Sequence, residues 1–256
     1  MKVATDGRIV LWDGGSLWAF EVPPQPGNIA TTRMHAHHAV QLTLAAGGDF
    51  HIRTDQGRTP GPLVLIAPDT PHAFEPSGRI ALLFAEPESR TGQILVAELD
   101  GAPVARLDSD RLPDAERQLS LVWGVPRATD AEITELGRGI LDRLLGGLPA
   151  PPAFDPRISR AIDWLEPRVE NHLTLAEAAS VACLSESRFS HRFAEVTGLP
   201  FRTWLLWRRL MRAVEHMAAG ENLTTAALEA GFSDSAHFSR TFMRMFGVQA
   251  SALGLV

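Results

Sequence analysis

Four short apolar runs mark the first part of the chain: "AVQLTLAAG" from Ala39, "DFHIRT" from Asp49, "PLVLIAP" from Pro62 and "RIALLFAE" from Arg79. Gly, Pro and Asp turns separate them. Short strands at this spacing predict a β-rich region over residues 1–112, closed as a barrel or packed as a sandwich. No parallel βαβ rhythm is present. The period then changes from two to that of a helix. Helices are predicted over Pro113–Trp123 and Asp130–Leu145. In the second, Ile133, Leu136, Ile140, Leu141, Leu144 and Leu145 form an apolar stripe. Such a stripe either packs on its own domain or serves a dimerisation helix. The proline-rich run "GGLPAPPAFDP" (Gly146–Pro156) reads as a stiff linker. Beyond it the pattern is all helical, with segments near Arg157–Glu170, Leu175–Ala182, Glu186–Thr197, Phe201–Ala219, Thr224–Ala230 and Ser235–Phe246. The organisation expected is a β domain (1–112), a helical segment (113–148), a linker (149–156) and an all-α domain (157–256). The fold class is α+β, multidomain.

The helical part contains an imperfect repeat. "TLAEAASVACLSESRFSHRFAEVTG" (Thr174–Gly198) matches "LTTAALEAGFSDSAHFSRTFMRMFG" (Leu223–Gly247). Each copy has a short Ala-rich helix, a turn and a second helix ending Phe-x-x-x-Phe. Alanines 176, 178, 179, 226, 227 and 230 permit close helix approach. Gly231 suits a left-handed helix stop, and Ser185 and Asp234 suit N-caps. Phe189 with Phe193, and Phe238 with Phe242, are i,i+4 anchors for the second helices. The opposite faces carry Ser187, Arg188, Ser190, His191 and Arg192 in one copy, and Ser235, Ala236, His237, Ser239 and Arg240 in the other. Small, hydrogen-bonding side chains with occasional Arg suit a helix entering a major groove. A single such hairpin could equally be a helical pair with a solvated face. Two copies in one domain favour the nucleic-acid reading.

Residues 156–253 resemble the DNA-binding domain of the AraC/XylS family of bacterial transcription regulators. "EAGFSDSAHFSRTFMRMFG" resembles the family signature, and "VACLSESRFSHRFAEVTG" its first helix-turn-helix. The resemblance implies two helix-turn-helix units joined by a long helix, here Phe201–Ala219, with recognition helices in successive major grooves. By motif position, Ser187, Ser190 and His191 would face DNA in the first unit, and Ser235, Ala236, Ser239 and Arg240 in the second. The family follows its final glycine with a proline and a Tyr-Arg pair. Here the chain reads "GVQASALGLV", so that C-terminal anchor does not carry over.

Charge qualifies this picture. The chain carries a formal −6, which argues against indiscriminate nucleic-acid binding. Residues 157–256 hold 11 Arg, no Lys and 10 acidic residues, and the acidic excess lies before them. Arg is the side chain suited to bidentate contacts with phosphate and guanine. The single cysteine, Cys183, rules out a disulfide framework within the chain and favours a reducing compartment. It is expected to be a small buried hydrophobe closing the first helix-turn-helix turn. The first residues, MKVATDGRIV, lack a signal-peptide core, and no apolar run approaches the ~18–20 residues that span a bilayer. The expectation is a cytoplasmic protein without membrane contact.

A second constellation lies in the β-rich part. His35 and His37 alternate in "RMHAHHAVQ", which places both on one face of a strand, and His72 follows a Pro-rich turn. With Gln41 nearby, such a trio suits a divalent transition metal: zinc, iron, manganese or nickel. The trio could also be polar residues in a barrel mouth without metal. The pattern resembles the cupin fold, whose first motif has a Glu where this chain has Gln41. Sensory domains of AraC/XylS regulators are often cupin-like barrels. His51 is expected on an outer face.

The leading reading is a sequence-specific regulator of promoter DNA, controlled by a small-molecule or ion effector. It would meet RNA polymerase if it is an activator, and a homodimer is open. The rival is a metal-dependent cupin enzyme with a helical appendage, which needs a loaded metal. A binding protein without DNA affinity is a third reading.

Overall fold

The computed structural model describes residues 5–23, 31–146 and 154–253. The chain divides into two units. One comprises residues 1–151 and 242–256, the other residues 152–241. The sequence placed all of 157–256 together. The residues from Phe242 onward join the first unit instead, where Phe242 stacks on Trp18 at 6.5 Å and Phe246 lies 4.7 Å from the same ring. The expected linker lies outside the described residues as far as residue 153.

The first unit is built on one antiparallel sheet. Its strands are β1 (Thr5–Trp12), β2 (Gly15–Val22), β3 (Val40–Thr54), β4 (Gly57–Pro60), β5 (Leu63–Ile66), β6 (Ala73–Ala85) and β7 (Val104–Arg106). Their order is β1-β2-β6-β3-β5-β7, with β4 paired to β3. The runs "AVQLTLAAG" and "DFHIRT" form one long strand rather than two. A register shift between Ala45 and Gly48 bends it without ending it. Both faces of the sheet are covered, so the strands read as continuous apolar runs. Leu17, Ala19, Leu42, Leu65 and Leu83 face one core, while Trp18, Phe20 and Phe84 face the other way. His51 is half-buried, between the buried Phe50 and Ile52, as strand alternation requires.

Helix α1 (Arg90–Glu98) follows β6 and lies inside the region expected to be β-rich. Its opening Arg-Thr-Gly resembles a turn. Ser89 starts it as N-cap, and Gly92 is required because any Cβ there would strike the Glu86 carbonyl. The expected helix over Pro113–Trp123 is shorter: α2 (Ala115–Leu119) passes into a 3-10 turn, Ser120–Trp123. Helix α3 (Asp130–Leu145) has the predicted bounds, started by a Thr129–Glu132 capping box. Its stripe packs on its own unit. Ile133, Ile140, Leu141 and Leu144 are buried in the core of their own unit, and Leu136 and Leu145 pack beside them.

The second unit contains α4 (Pro156–Leu165), α5 (Leu175–Val181), α6 (Glu186–Thr197), α7 (Phe201–Ala218) and α8 (Leu223–Glu229), and most of α9 (Ser235–Phe246). Each bound lies close to its sequence expectation, except that α4 ends early, in a 3-10 turn at Glu166–Arg168. No helix among the described residues is long and apolar enough to cross a membrane.

Cys183 departs from expectation. It is exposed, with φ 53° in the left-handed region. Leu184 N bonds Ala179 O, and in the second copy Phe232 N bonds Ala227 O. That equivalence puts Cys183 opposite Gly231 (φ 82°). The position selects backbone freedom rather than burial. A Cys183→Gly protein is expected to unfold at higher urea, with a gain of about 1 kcal/mol from relieved strain. A lower midpoint would count against it.

Candidate functional site

The first helix-turn-helix is organised by its phenylalanines. Phe189 and Phe193 are fully buried and 5.2 Å apart, and Phe193 meets Trp204 of α7 edge-on at 5.5 Å. Ala178, Ala179 and Ala182 are buried against them, so α5 packs close. This fixes the outward face of α6. Ser187, Arg188, Ser190 and His191 are exposed there. Ser185 caps the helix by accepting from Arg188 N.

Arg192 differs from its neighbours. It is half-buried, and its Nε donates to Asp155 Oδ2 at 2.7 Å while Nη1 donates to Glu195 at 2.8 Å. Asp155 caps α4 and also pairs with Arg157. The Arg157 and then the Arg192 guanidinium hold the Asp155 carboxyl far below the usual carboxylate range. Arg192 thus ties α6 to the start of α4, in competition with any reach toward DNA.

The second copy has a turn one residue longer. Gly231 is needed there twice over: its φ is positive, and a Cβ would meet the Glu170 backbone at 2.5 Å. Phe232 then packs edge-on against Phe238 at 5.4 Å, and Asp234 Oδ1 accepts from His237 N at 2.6 Å. Ala236 and Arg240 are exposed, and Ser235 and Ser239 are half-buried. Ser239 Oγ donates back to the Ser235 carbonyl at 2.8 Å, which turns its hydroxyl along the helix. His237 lies against the Phe232 ring at 5.2 Å.

The histidines come together in the first unit. His35 and His72 exchange backbone hydrogen bonds, each 2.9 Å. Their rings lie 4.3 Å apart, and His37 is 5.2 Å from His72. All three are buried. Each Nδ1 lies on a main-chain carbonyl: His35 on Arg33 at 2.8 Å, His37 on Ala39 at 3.0 Å and His72 on Thr70 at 2.8 Å. For His35 and His72 an Nδ1–H donating there leaves Nε2 as the lone-pair nitrogen, while His37 Nε2 faces Gln41 Oε1, itself an acceptor. Gln41 lies between His37 Nε2 (2.9 Å) and Thr43 Oγ1 (2.8 Å), so its amide orients the ring. Burial, with His72 close by, pushes His35 down to about 3. Burial and the two neighbouring rings push His37 well down, and burial lowers His72. The three rings are therefore neutral near pH 7.

These residues fit a metal ion. One nitrogen from each lies within 4.8 Å of the others, and buried His72 Nε2 has no hydrogen-bond partner among the described residues. Neutral, carbonyl-oriented imidazoles are the form that ligates.

A neighbouring cluster escaped the sequence reading. His38 points away from the trio, with Nε2 3.3 Å from Glu88 and Nδ1 3.7 Å from Asp69. Burial opposes its charge, yet Asp69 and Glu88 outweigh it and raise His38 to about 9. Two carboxylates 31 and 50 positions downstream give no local signal in the sequence.

Residues 178–253 match the model of a helix-turn-helix domain. An uncharacterised HTH-type transcriptional regulator of Staphylococcus aureus (strain MRSA252) is 34% identical over 89 residues, 34% of this chain and 12% of that protein. The arabinose operon regulatory protein of Salmonella typhimurium is 28% identical over 102 residues, 39% of this chain and 36% of that protein. This chain thus spans about an eighth of the first curated relatives it matches. Across nearly the whole chain, an apo structure of ToxT from Vibrio cholerae aligns with a TM-score of 0.63 at 12% identity, covering 95% of this chain and 98% of that one. A ToxT structure bound to an unsaturated fatty acid aligns with a TM-score of 0.56 at 12% identity, covering 100% and 98%. At such identities the likeness shows the fold alone: an antiparallel-sheet region followed by a helical domain. The cupin-enzyme alternative finds no support in these relatives. The helical region is thus similar to helix-turn-helix transcription regulators, the arabinose operon regulatory protein among them.

Proposed function

We propose that the chain is a sequence-specific transcription regulator that reads promoter DNA through α6 and α9. One observation carries the reading: both copies bury their phenylalanines and leave a small, polar, Arg-bearing face outward. Ser187, Arg188, Ser190 and His191 are the DNA-facing set of the first copy, and Ser235, Ala236, Ser239 and Arg240 that of the second. Arg192 acts mainly as a tether to Asp155. The test is selection of sheared genomic DNA by the purified protein at near-physiological salt. Recovery of a recurrent motif with two short blocks about one helical turn apart supports the reading. Recovery of random fragments, with and without cell extract and divalent metal, sinks it.

The tether gives a sorted prediction. Arg188→Ala and Arg240→Ala should weaken operator binding and flatten its salt dependence by about one unit of slope each, with unchanged unfolding midpoints. Arg192→Ala should lower the urea unfolding midpoint slightly, its ion pairs being partly solvated. Unchanged operator affinity on removal of Arg240 would take it off the contact list.

The first unit is read as a cupin-like sensory barrel. ToxT, whose fold is similar, is bound to an unsaturated fatty acid in one of its structures, which supports a small-molecule effector for this chain. His35, His37 and His72 would hold a divalent transition metal, with Gln41 orienting His37. When bound, the ion would serve as effector or as a brace for the three ends it joins. Elemental analysis of protein purified without chelator tests this: one zinc, iron, manganese or nickel per chain, lost in His72→Ala, is the expected result. If the protein is an activator, RNA polymerase is the further partner.

A further inference from the structure

Within the first unit, beside the histidines, lies a cavity of about 80 Å³. Trp18, Phe20, Ile80 and Phe84 form its sheet side, and Val248 and Leu253 its opposite wall. Among the described residues, none lining it is Lys, Arg, Asp or Glu. Apart from the Nε2 lone pair of His72, its few polar members are turned to other partners. Thr32 Oγ1 accepts from Phe74 N at 2.9 Å, and the Nδ1 atoms of His35 and His72 lie on carbonyls. The Gln41 amide is held by His37 and Thr43. With no metal on the histidines, a carboxylate entering here would lose its hydration and meet no counter-charge.

Size adds a second constraint. An apolar cavity of ~150 Å³ takes benzene, so this one holds only a few carbon atoms as it stands. Anything larger either extends through the mouth of the cavity or moves a wall. The sheet walls are locked in the β2·β6 and β3·β6 ladders. Among the described residues, the C-terminal segment belongs to no strand of the sheet. Arg33 N donates to Gly247 O at 2.9 Å, and Gly247 keeps a left-handed φ of 69° with its missing Cβ turned to Arg33 and His35. Val248, Ala252 and Leu253 turn toward the cavity as part of its lining.

We infer that this cavity is the effector site, that its ligand is a small, uncharged, apolar molecule, and that the segment 247–253 is the wall that yields to it. Because that segment follows α9 directly, ligand entry and the seating of the end of α9 are one event. The inference rests on the regulator reading only in calling the ligand an effector. Binding is measured without DNA, so its failure leaves the genomic selection result untouched.

The probes are toluene and its charged counterpart benzoate, added to chelator-treated full-length protein with labelled Ile, Leu and Val methyl groups. Toluene should shift the methyl resonances of Ile80, Leu82, Val248 and Leu253 and leave Ile133 and Ile140 in place. Benzoate at equal concentration should shift none of them. Ala252→Phe, which fills the cavity from the yielding wall, should weaken toluene at least tenfold. Absence of toluene binding, shifts centred on α3, benzoate binding of equal strength, or an unaffected Ala252→Phe protein each overturns the inference. Should Ala252→Phe fail to fold, the methyl map of the unaltered protein decides alone.

Discussion

A Phe238→Ala protein is expected to lose specific DNA binding and to be destabilised by about 3–5 kcal/mol in its helical unit. Phe238 is fully buried, and its ring meets Phe232 edge-on at 5.4 Å. Phe232 in turn follows Gly231, whose backbone lies too close to Glu170 for any side chain. Truncating Phe238 therefore opens a cavity at the point where the angle between α8 and α9 is set. The recognition face of α9 is presented through that angle. Arg240→Ala is the control: it lies on the same helix, is exposed, and should leave the urea midpoint alone. Phe189→Ala in the first copy should behave like Phe238→Ala, because it is equally buried against α5 and α7. Urea unfolding beside anisotropy with a selected operator makes the comparison. A folded Phe238→Ala protein with full operator affinity would show that α9 is positioned by something else.

The helical unit was legible because its rules are local. Caps, a 3.6 period and the i,i+4 phenylalanine pairs all act within one turn of the chain. Ser185, Asp234 and Gly231 therefore have the roles their residue types suggest. Cys183 shows where type misleads. A cysteine reads as a buried small residue, but here it occupies the left-handed turn position that the second copy gives to glycine. Arg192 shows another limit. Its residue type and helix face matched DNA contact, and only the fold brings Asp155 to it from 37 positions away.

The sheet was legible in part. Runs of β-branched and leucine residues gave the strands. They could not distinguish a bent β3 from two strands, because the bend at Ala45–Gly48 keeps its partner β6 throughout. Helix α1 was lost behind a glycine that packing requires. The histidine trio was half visible. Alternation placed His35 and His37 on one side, while the pairing of His35 with His72 is tertiary. The wall that Val248 and Leu253 give to the cavity was not visible at all, since "GVQASALGLV" has no period and no motif.

The histidines give the first unit a stability curve with two sides. His35, His37 and His72 are lowered from 6.5, so the folded state binds fewer protons than the unfolded chain. Their contribution is complete above pH 6.5 and is lost as pH falls, for His35 down to about 3. His38 is raised to about 9, so its contribution is complete below pH 6.5 and is lost as pH rises through 9. Unfolding free energy in chelator should therefore peak near neutrality. On the acid side it should fall with a slope approaching ~1.4 kcal/mol per pH unit for each ring that charges on unfolding. His72→Asn keeps a donor near the Thr70 carbonyl and should reduce the acid slope by about one proton. His38→Gln keeps an amide near Glu88 and should flatten the alkaline side alone. A profile without loss between pH 6.5 and 3 would mean that the trio is not held neutral by burial. Zinc gives an independent reading of the same nitrogens. Protons compete for them, so its stabilisation should be largest above pH 6.5 and fade together with the acid limb.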